Sequence, residues 1–208
     1  MSHETVTVLS YLFFMIFGYL SGSIMYSQVL PLKLRHINIR KISDDGNPGA
    51  GNVFKNVGVS MGLLCLICDI IKGAIPVALC LHYLSWNNLL FALVLIAPVL
   101  GHARFGKAIA TSFGVLLGLL PKSLLVFYLA IPFVFFSVVV RITPHAWRVI
   151  ISFLLFFVGT VLQGYAFPLQ VAAFCIALIV IVKHVKYLRS LEEVHFHATL
   201  GLHIHSPK

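Results

Sequence analysis

Long apolar stretches alternate along this chain with short polar ones. The apolar blocks fall at 6–30, 59–83, 89–100, 109–120, 123–140, 149–163 and 168–182. Their length suits helices in a bilayer, where about 20 residues cross a hydrocarbon core of about 30 Å. A helix satisfies all its backbone polar groups within one segment, which hydrocarbon demands. The pattern therefore predicts an all-α polytopic membrane protein with about seven transmembrane helices. The third and fourth blocks are short for a full crossing, and as one re-entrant pair they would lower the number to five. The first block is longer than a signal-peptide core, and Ser2-His3-Glu4 before it is not basic, so it reads as a retained helix.

Charge placement orients these spans. With the N-terminus outside, the inside loops hold Lys33, Arg35, Arg40, Lys41, Lys55, Arg104, Lys107, Arg141 and Arg148, and the inside tail holds Lys183, Lys186, Arg189 and Lys208. Only Lys122 lies outside, and Lys72 lies within a span. Such asymmetry predicts an N-out, C-in arrangement. Composition agrees: 60% of the 208 residues are hydrophobic, 10% are charged, and mean hydropathy is +0.99. The formal charge of +9 is spread over short loops, as topology requires, and no nucleic-acid surface is read from it. The expected surroundings are membrane lipids, in one domain over 1–190 with a cytoplasmic tail over 191–208.

The tail has Val185, Leu188, Leu191 and Val194 at near-helical spacing, which predicts a short amphipathic helix along the interface. Its alternating His195, His197, His203 and His205 have no acidic or cysteine partner at fixed spacing, so no metal site is assigned. Cys65, Cys68, Cys80 and Cys175 all fall in apolar blocks and read as small packing residues, with no disulfide implied. No cofactor is expected.

Three inside segments concentrate polar residues. The first is Asp44-Asp45-Gly46-Asn47-Pro48-Gly49-Ala50-Gly51-Asn52, followed by Lys55. Its glycines let the backbone approach a ligand, and successive N–H groups in such a turn suit an anion. The second is Gly101-His102-Ala103-Arg104-Phe105-Gly106-Lys107, running on to Thr111, and the third is Lys183-His184-Val185-Lys186. Lying on one side, the three can converge on a single site, where an imidazole near cations suits a phosphorylated metabolite and proton transfer. Within the second span Asp69 and Lys72 share a helix face at i, i+3 and suit a structural ion pair. Gly18, Ser21, Gly22 and Ser23 in the first span suit close helix packing.

Taken in order, Gly18–Ile24, Gly46–Asn52, Asp69-Ile70-Ile71-Lys72-Gly73 and Gly101-His102 with Gly106–Thr111 resemble the bacterial acyl-phosphate:glycerol-3-phosphate acyltransferases, the PlsY family. The resemblance spans nearly the whole chain, including the seven-span N-out plan. It implies an enzyme of the bacterial plasma membrane in phospholipid synthesis. An acyl group would pass from acyl phosphate to glycerol 3-phosphate, giving lysophosphatidic acid and phosphate without metal, carrier protein or thioester. By motif, His102 would position or deprotonate the attacking hydroxyl. Gly46, Asn47, Gly49, Asn52, Lys55, Lys107 and His184 would bind substrate and phosphate, with Asp69 and Lys72 in support. The oligomeric state is left open, a monomer being allowed.

The chain also departs from that pattern. Asp45 stands where the family usually has serine, Lys55 where it has arginine, and Lys186 and Tyr187 follow His184 in place of an acidic residue and an asparagine. The loop from His102 to Lys107 is shorter than usual. These departures frame the alternative reading, a catalytically inactive paralogue that binds acyl phosphate, lipid or a membrane partner. An unrelated transporter would need more polar residues at the midplane of the spans.

Overall fold

The computed structural model describes residues 2–185, Leu188 and, as backbone alone, 195–198. Among the described residues there are ten α-helices. They are α1 (His3–Ser23), α2 (Tyr26–Arg35), α3 (Ile39–Ile42), α4 (Ala50–Asn56), α5 (Val59–Tyr83), α6 (Leu90–Ala103), α7 (Ile109–Leu117), α8 (Leu125–Val134), α9 (His145–Leu162) and α10 (Phe167–Val185). Two short strands, β1 (Val140–Thr143) and β2 (His195–Ala198), complete the described elements.

Four helices, α1, α5, α9 and α10, are long and apolar enough to cross a membrane, and α6 and α8 with its π-helical extension to Val139 are shorter apolar helices. With α7 they make the seven apolar segments expected. The nine residues of α7 rise only about 14 Å at 1.5 Å each, less than half of the hydrocarbon core.

α6 lies at the centre, packed on α1, α10, α5 and α7. Eleven of its residues are buried, as suits a helix apolar on every face. Outward-facing Leu162, Ile131, Phe167 and Val182 stay more than half exposed, the surface that a bilayer covers. The α1–α6 contact is close because Gly22 carries no side chain: a Cβ there would overlap the Pro98 carbonyl. That is small-residue packing between membrane helices.

The first apolar block is not one helix. α1 stops at Ser23, Ile24 is extended, and α2 starts at Tyr26. The cause lies in α5, where Lys72 Nζ hydrogen-bonds the Ile24 carbonyl and Asp69 Oδ2 accepts from Ser27 Oγ at 2.9 Å. The break hands a free carbonyl to a buried ammonium, a tertiary demand that no local pattern reveals. Ser21 and Ser23 bond to the carbonyls of Lys72 and Tyr19, at 2.9 and 2.8 Å.

His195–Ala198 form a strand antiparallel to Val140–Thr143, pairing Val140 with Ala198 and Thr143 with His195. The amphipathic helix expected from Val185 to Val194 lies mostly outside the described residues. Lys186, Tyr187, Leu191, Val194, His203 and His205 lie outside the described residues. All four cysteines are free thiols.

Candidate active site

The site starts with the loop from Ser43 to Gly49, where Gly46 takes a positive φ of 62° and turns the chain back. Asp45 organises the turn: its Oδ1 accepts from the Asn47 N–H at 3.0 Å and from Asn52 Nδ2 at 2.8 Å. Asn52 Nδ2 also donates to the Asn47 carbonyl at 2.7 Å. This is the side-chain-to-backbone bonding typical of Asp in turns. The other carboxylate oxygen pairs with Lys107 Nζ at 2.7 Å. Partial burial pushes the Asp45 carboxyl up, but the bonds from Lys107, Asn47 and Asn52 outweigh it and hold it below the usual carboxylate range. Asp45 is therefore an anion, gripped by a peptide N–H, an amide and an ammonium.

Beside it opens a polar cavity of about 180 Å³, lined by Asp45, Gly46, Asn47, Arg104, Phe105, Gly106, Lys107 and Lys183. Each of the three polar segments thus contributes to one cavity. The turn that follows α6 brings Lys107 to it, while His102, at the end of α6, stays behind the lining next to Gly106. Gly106 sits so close to the His102 ring that a Cβ there would lie 2.6 Å from Nε2. His102 is 3% exposed. Its Nδ1 lies 3.0 Å from Thr111 Oγ1 and 3.9 Å from Asp69 Oδ1, so two elements fix the ring.

Below His102, Lys72 pairs with Asp69 at 2.8 Å, both fully buried. Their contacts to Ile24 and Ser27 tie α5 to the α1–α2 break, and the pair lies outside the lining of the cavity.

His184 follows Lys183 on α10 and is 1% exposed. Its Nδ1 meets the Val180 carbonyl at 2.7 Å. A carbonyl only accepts, so this nitrogen carries a proton, and in the neutral ring Nε2 is left as an acceptor. That atom is buried with no hydrogen-bond partner among the described residues. The His145 ring stands edge-on to it, centroids 6.1 Å apart. His145 accepts from Arg148 Nε at 2.6 Å through its Nδ1.

Not every residue singled out from sequence reaches the cavity. Lys55 turns to Asp44 at 2.6 Å, with both side chains exposed; the hydrogen bond and charge of Asp44 raise the Lys55 ammonium above its ordinary value. Gly49 caps α4, and Asn52 acts through Asp45. Arg104, Phe105 and Lys183 do line the cavity, although the sequence reading gave them no role, and His145 escaped it altogether. His145 opens an apolar helix thirty-four residues after Thr111, where the preceding motif ends, and looks like a topology-flanking polar residue.

The chain matches the family model for glycerol-3-phosphate acyltransferase over residues 12–193. It is 29% identical over 176 residues to the glycerol-3-phosphate acyltransferase of Hydrogenobaculum sp. (strain Y04AAS1), covering 81% of this chain and 87% of that one. It is 32% identical over 161 residues to glycerol-3-phosphate acyltransferase 2 of Thermotoga maritima, covering 73% and 79%. Its fold is similar to the crystal structure of PlsY (YgiH), an integral membrane glycerol 3-phosphate acyltransferase, in its glycerol 3-phosphate form. That match has a TM-score of 0.76 and 26% identity, over 86% of this chain and 90% of the other. The lysophosphatidic acid form of PlsY aligns over the same shares with a TM-score of 0.74.

Proposed function

Because the chain belongs to the glycerol-3-phosphate acyltransferase family, we propose that it transfers an acyl group from acyl phosphate to the 1-hydroxyl of glycerol 3-phosphate at the cytoplasmic face of a bacterial plasma membrane. The observation that carries this reading is the convergence of the 45–47 loop, the 104–107 turn and Lys183 on one small polar cavity. Two phosphorylated substrates need concentrated positive charge, and Arg104, Lys107 and Lys183 supply it there.

In this reaction the hydroxyl oxygen attacks the acyl carbon, and its proton passes to His102, which lies within reach of the cavity through Gly106. A tetrahedral oxyanion forms. Its collapse breaks the bond from acyl carbon to phosphate oxygen, and phosphate leaves with the electron pair and receives a proton. Lys107 stabilises charge on the departing phosphate, and holding both substrates side by side supplies proximity. The anhydride is already activated, so no thioester, metal or covalent enzyme intermediate is required. Asp69 and Lys72 hold His102 from behind. The bare Nε2 of neutral His184 suits a hydroxyl donor, so His184 meets a hydroxyl of the polyol phosphate and leaves the phosphate group to the cations.

The test is purified protein in proteoliposomes, given glycerol 3-phosphate with acyl phosphate or with an acyl thioester of equal chain length. The reading expects lysophosphatidic acid with acyl phosphate alone. Product from the thioester alone would replace the donor, and no product from either would overturn the reading.

A further inference from the structure

Two guanidiniums approach the ring of the cavity-lining Phe105: the Arg104 Cζ lies 5.2 Å from its centroid and the Arg40 Cζ lies 5.9 Å from it. Arg104 and Phe105 line the cavity, whereas Arg40 comes from α3, sixty-four residues earlier, and approaches from outside it. All three residues are exposed. Neither arginine pairs with a carboxylate among the described residues.

This proximity has a chemical consequence. A guanidinium held near an aromatic ring by cation–π attraction still has its N–H groups available to acceptors. Those groups match phosphate oxygens with paired, charge-assisted hydrogen bonds. The surroundings say which phosphates arrive. Leu32, Leu34 and Ile42 are about half exposed, next to exposed Lys33, Arg35 and Lys41 on α2 and α3. Apolar side chains alternating with cations place these helices at headgroup level on a bilayer. The exposed Phe105 ring adds apolar surface between the two charges. The station therefore offers charge for a headgroup and hydrocarbon for the first methylenes of a chain.

We propose that Arg40, Phe105 and Arg104 form a docking station for the phosphate headgroup of a single-chain anionic amphiphile resident in the membrane, at the entrance to the cavity. It rests on the reading that such an amphiphile is substrate or product here. Arg40 does not itself line the cavity, so its part is capture and hand-over, and the small soluble polyol phosphate has no need of it.

The test compares wild type, R40Q, R40Q/R104Q and F105A in detergent, with thermal melting to show that all fold. The first readout is displacement of a fluorescent lysophosphatidate by unlabelled lysophosphatidate, by lysophosphatidylcholine of equal chain length, and by phosphatidylglycerol. It needs no turnover, so it stands even if the proposed acyl transfer fails. Loss of two charge-assisted bonds should weaken lysophosphatidate binding in R40Q/R104Q by about tenfold or more, with F105A intermediate. The second readout is kinetic and uses R40Q alone: KM for acyl phosphate should rise severalfold while KM for glycerol 3-phosphate stays within about twofold. Unchanged lysophosphatidate binding in R40Q/R104Q would overturn the proposal. So would equal displacement by all three lipids, or equal rises in both KM values.

Discussion

Lys107 and Asp45 hold each other at 2.7 Å across the polar cavity, from loops sixty-two residues apart. The carboxylate takes a seat built for an anion, since a peptide N–H, an amide and an ammonium all point to it. It therefore satisfies the cavity internally, and an incoming phosphate must compete with it for Lys107.

Asp45→Ser removes that competitor and keeps a hydrogen-bonding side chain. It should lower KM for acyl phosphate severalfold, an exchange of charge-assisted bonds being worth about 1 kcal/mol in a half-open site. Steady-state kinetics checks it, and an unchanged or raised KM would count against competition. The pH dependence has a definite sign. Because the folded pKa of Asp45 lies below its ordinary value, the stability it contributes is complete above about pH 4 and is lost only as pH falls through the lower folded pKa. Melting curves from pH 8 to 5 should therefore show no difference in slope between wild type and the variant, and a difference should open below about pH 4.

His102 is expected to act in the chemical step. His102→Ala should lower kcat by about 10²–10⁴ with melting temperature nearly unchanged. Gly106→Ala tests the same contact from the other side, because its Cβ would press on Nε2 at 2.6 Å. It should lower kcat more than it raises KM, since the ring is displaced while the cations stay. A variant with normal kcat would remove His102 from the reaction.

Lys55 and Lys107 separate two kinds of cation in neighbouring motifs. Lys55→Met breaks an exposed pair and should leave KM and melting temperature unchanged. Lys107→Met should cut kcat/KM by about 10–100-fold, the worth of one charge-assisted hydrogen bond. The pair of assays decides which lysine the substrate meets.

Lys72→Met leaves Asp69 as a buried, unpaired carboxylate and should destabilise the protein by about 3–5 kcal/mol. Asp69→Asn combined with Lys72→Met should cost less than either single change suggests, because no uncompensated charge remains. Melting temperatures of the two singles and the double, in one detergent, give the coupling. Additive losses would mean that the two charges do not act as a pair.

The limits of the sequence are visible at particular residues. α5 runs over Val59–Tyr83, the same bounds that hydropathy gives, because Gly58 and the polar turn after Tyr83 punctuate a long apolar run. The break at Ile24 was not legible, since the ammonium that requires it arrives from α5, forty-eight residues on. Nor was the β1–β2 pairing, whose partners are more than fifty residues apart and carry no turn between them. In the site, the three polar segments could be read from composition and side. What could not be read was the partner of each charge: Asp45 found Lys107, whereas Lys55 found Asp44. His145 and Arg40 were invisible for the same reason, because each reaches the cavity's surroundings through tertiary packing rather than through a motif.

The central claim is that this cavity couples phosphate loss from one substrate to acylation of the other. The most direct measurement is the ratio of lysophosphatidic acid formed to inorganic phosphate released, in proteoliposomes holding wild type, Lys107→Met or His102→Ala. Coupled transfer gives a ratio of one for wild type, with both products falling together in each variant. Phosphate released without lysophosphatidic acid, or no lysophosphatidic acid from well-folded wild type, would contradict it.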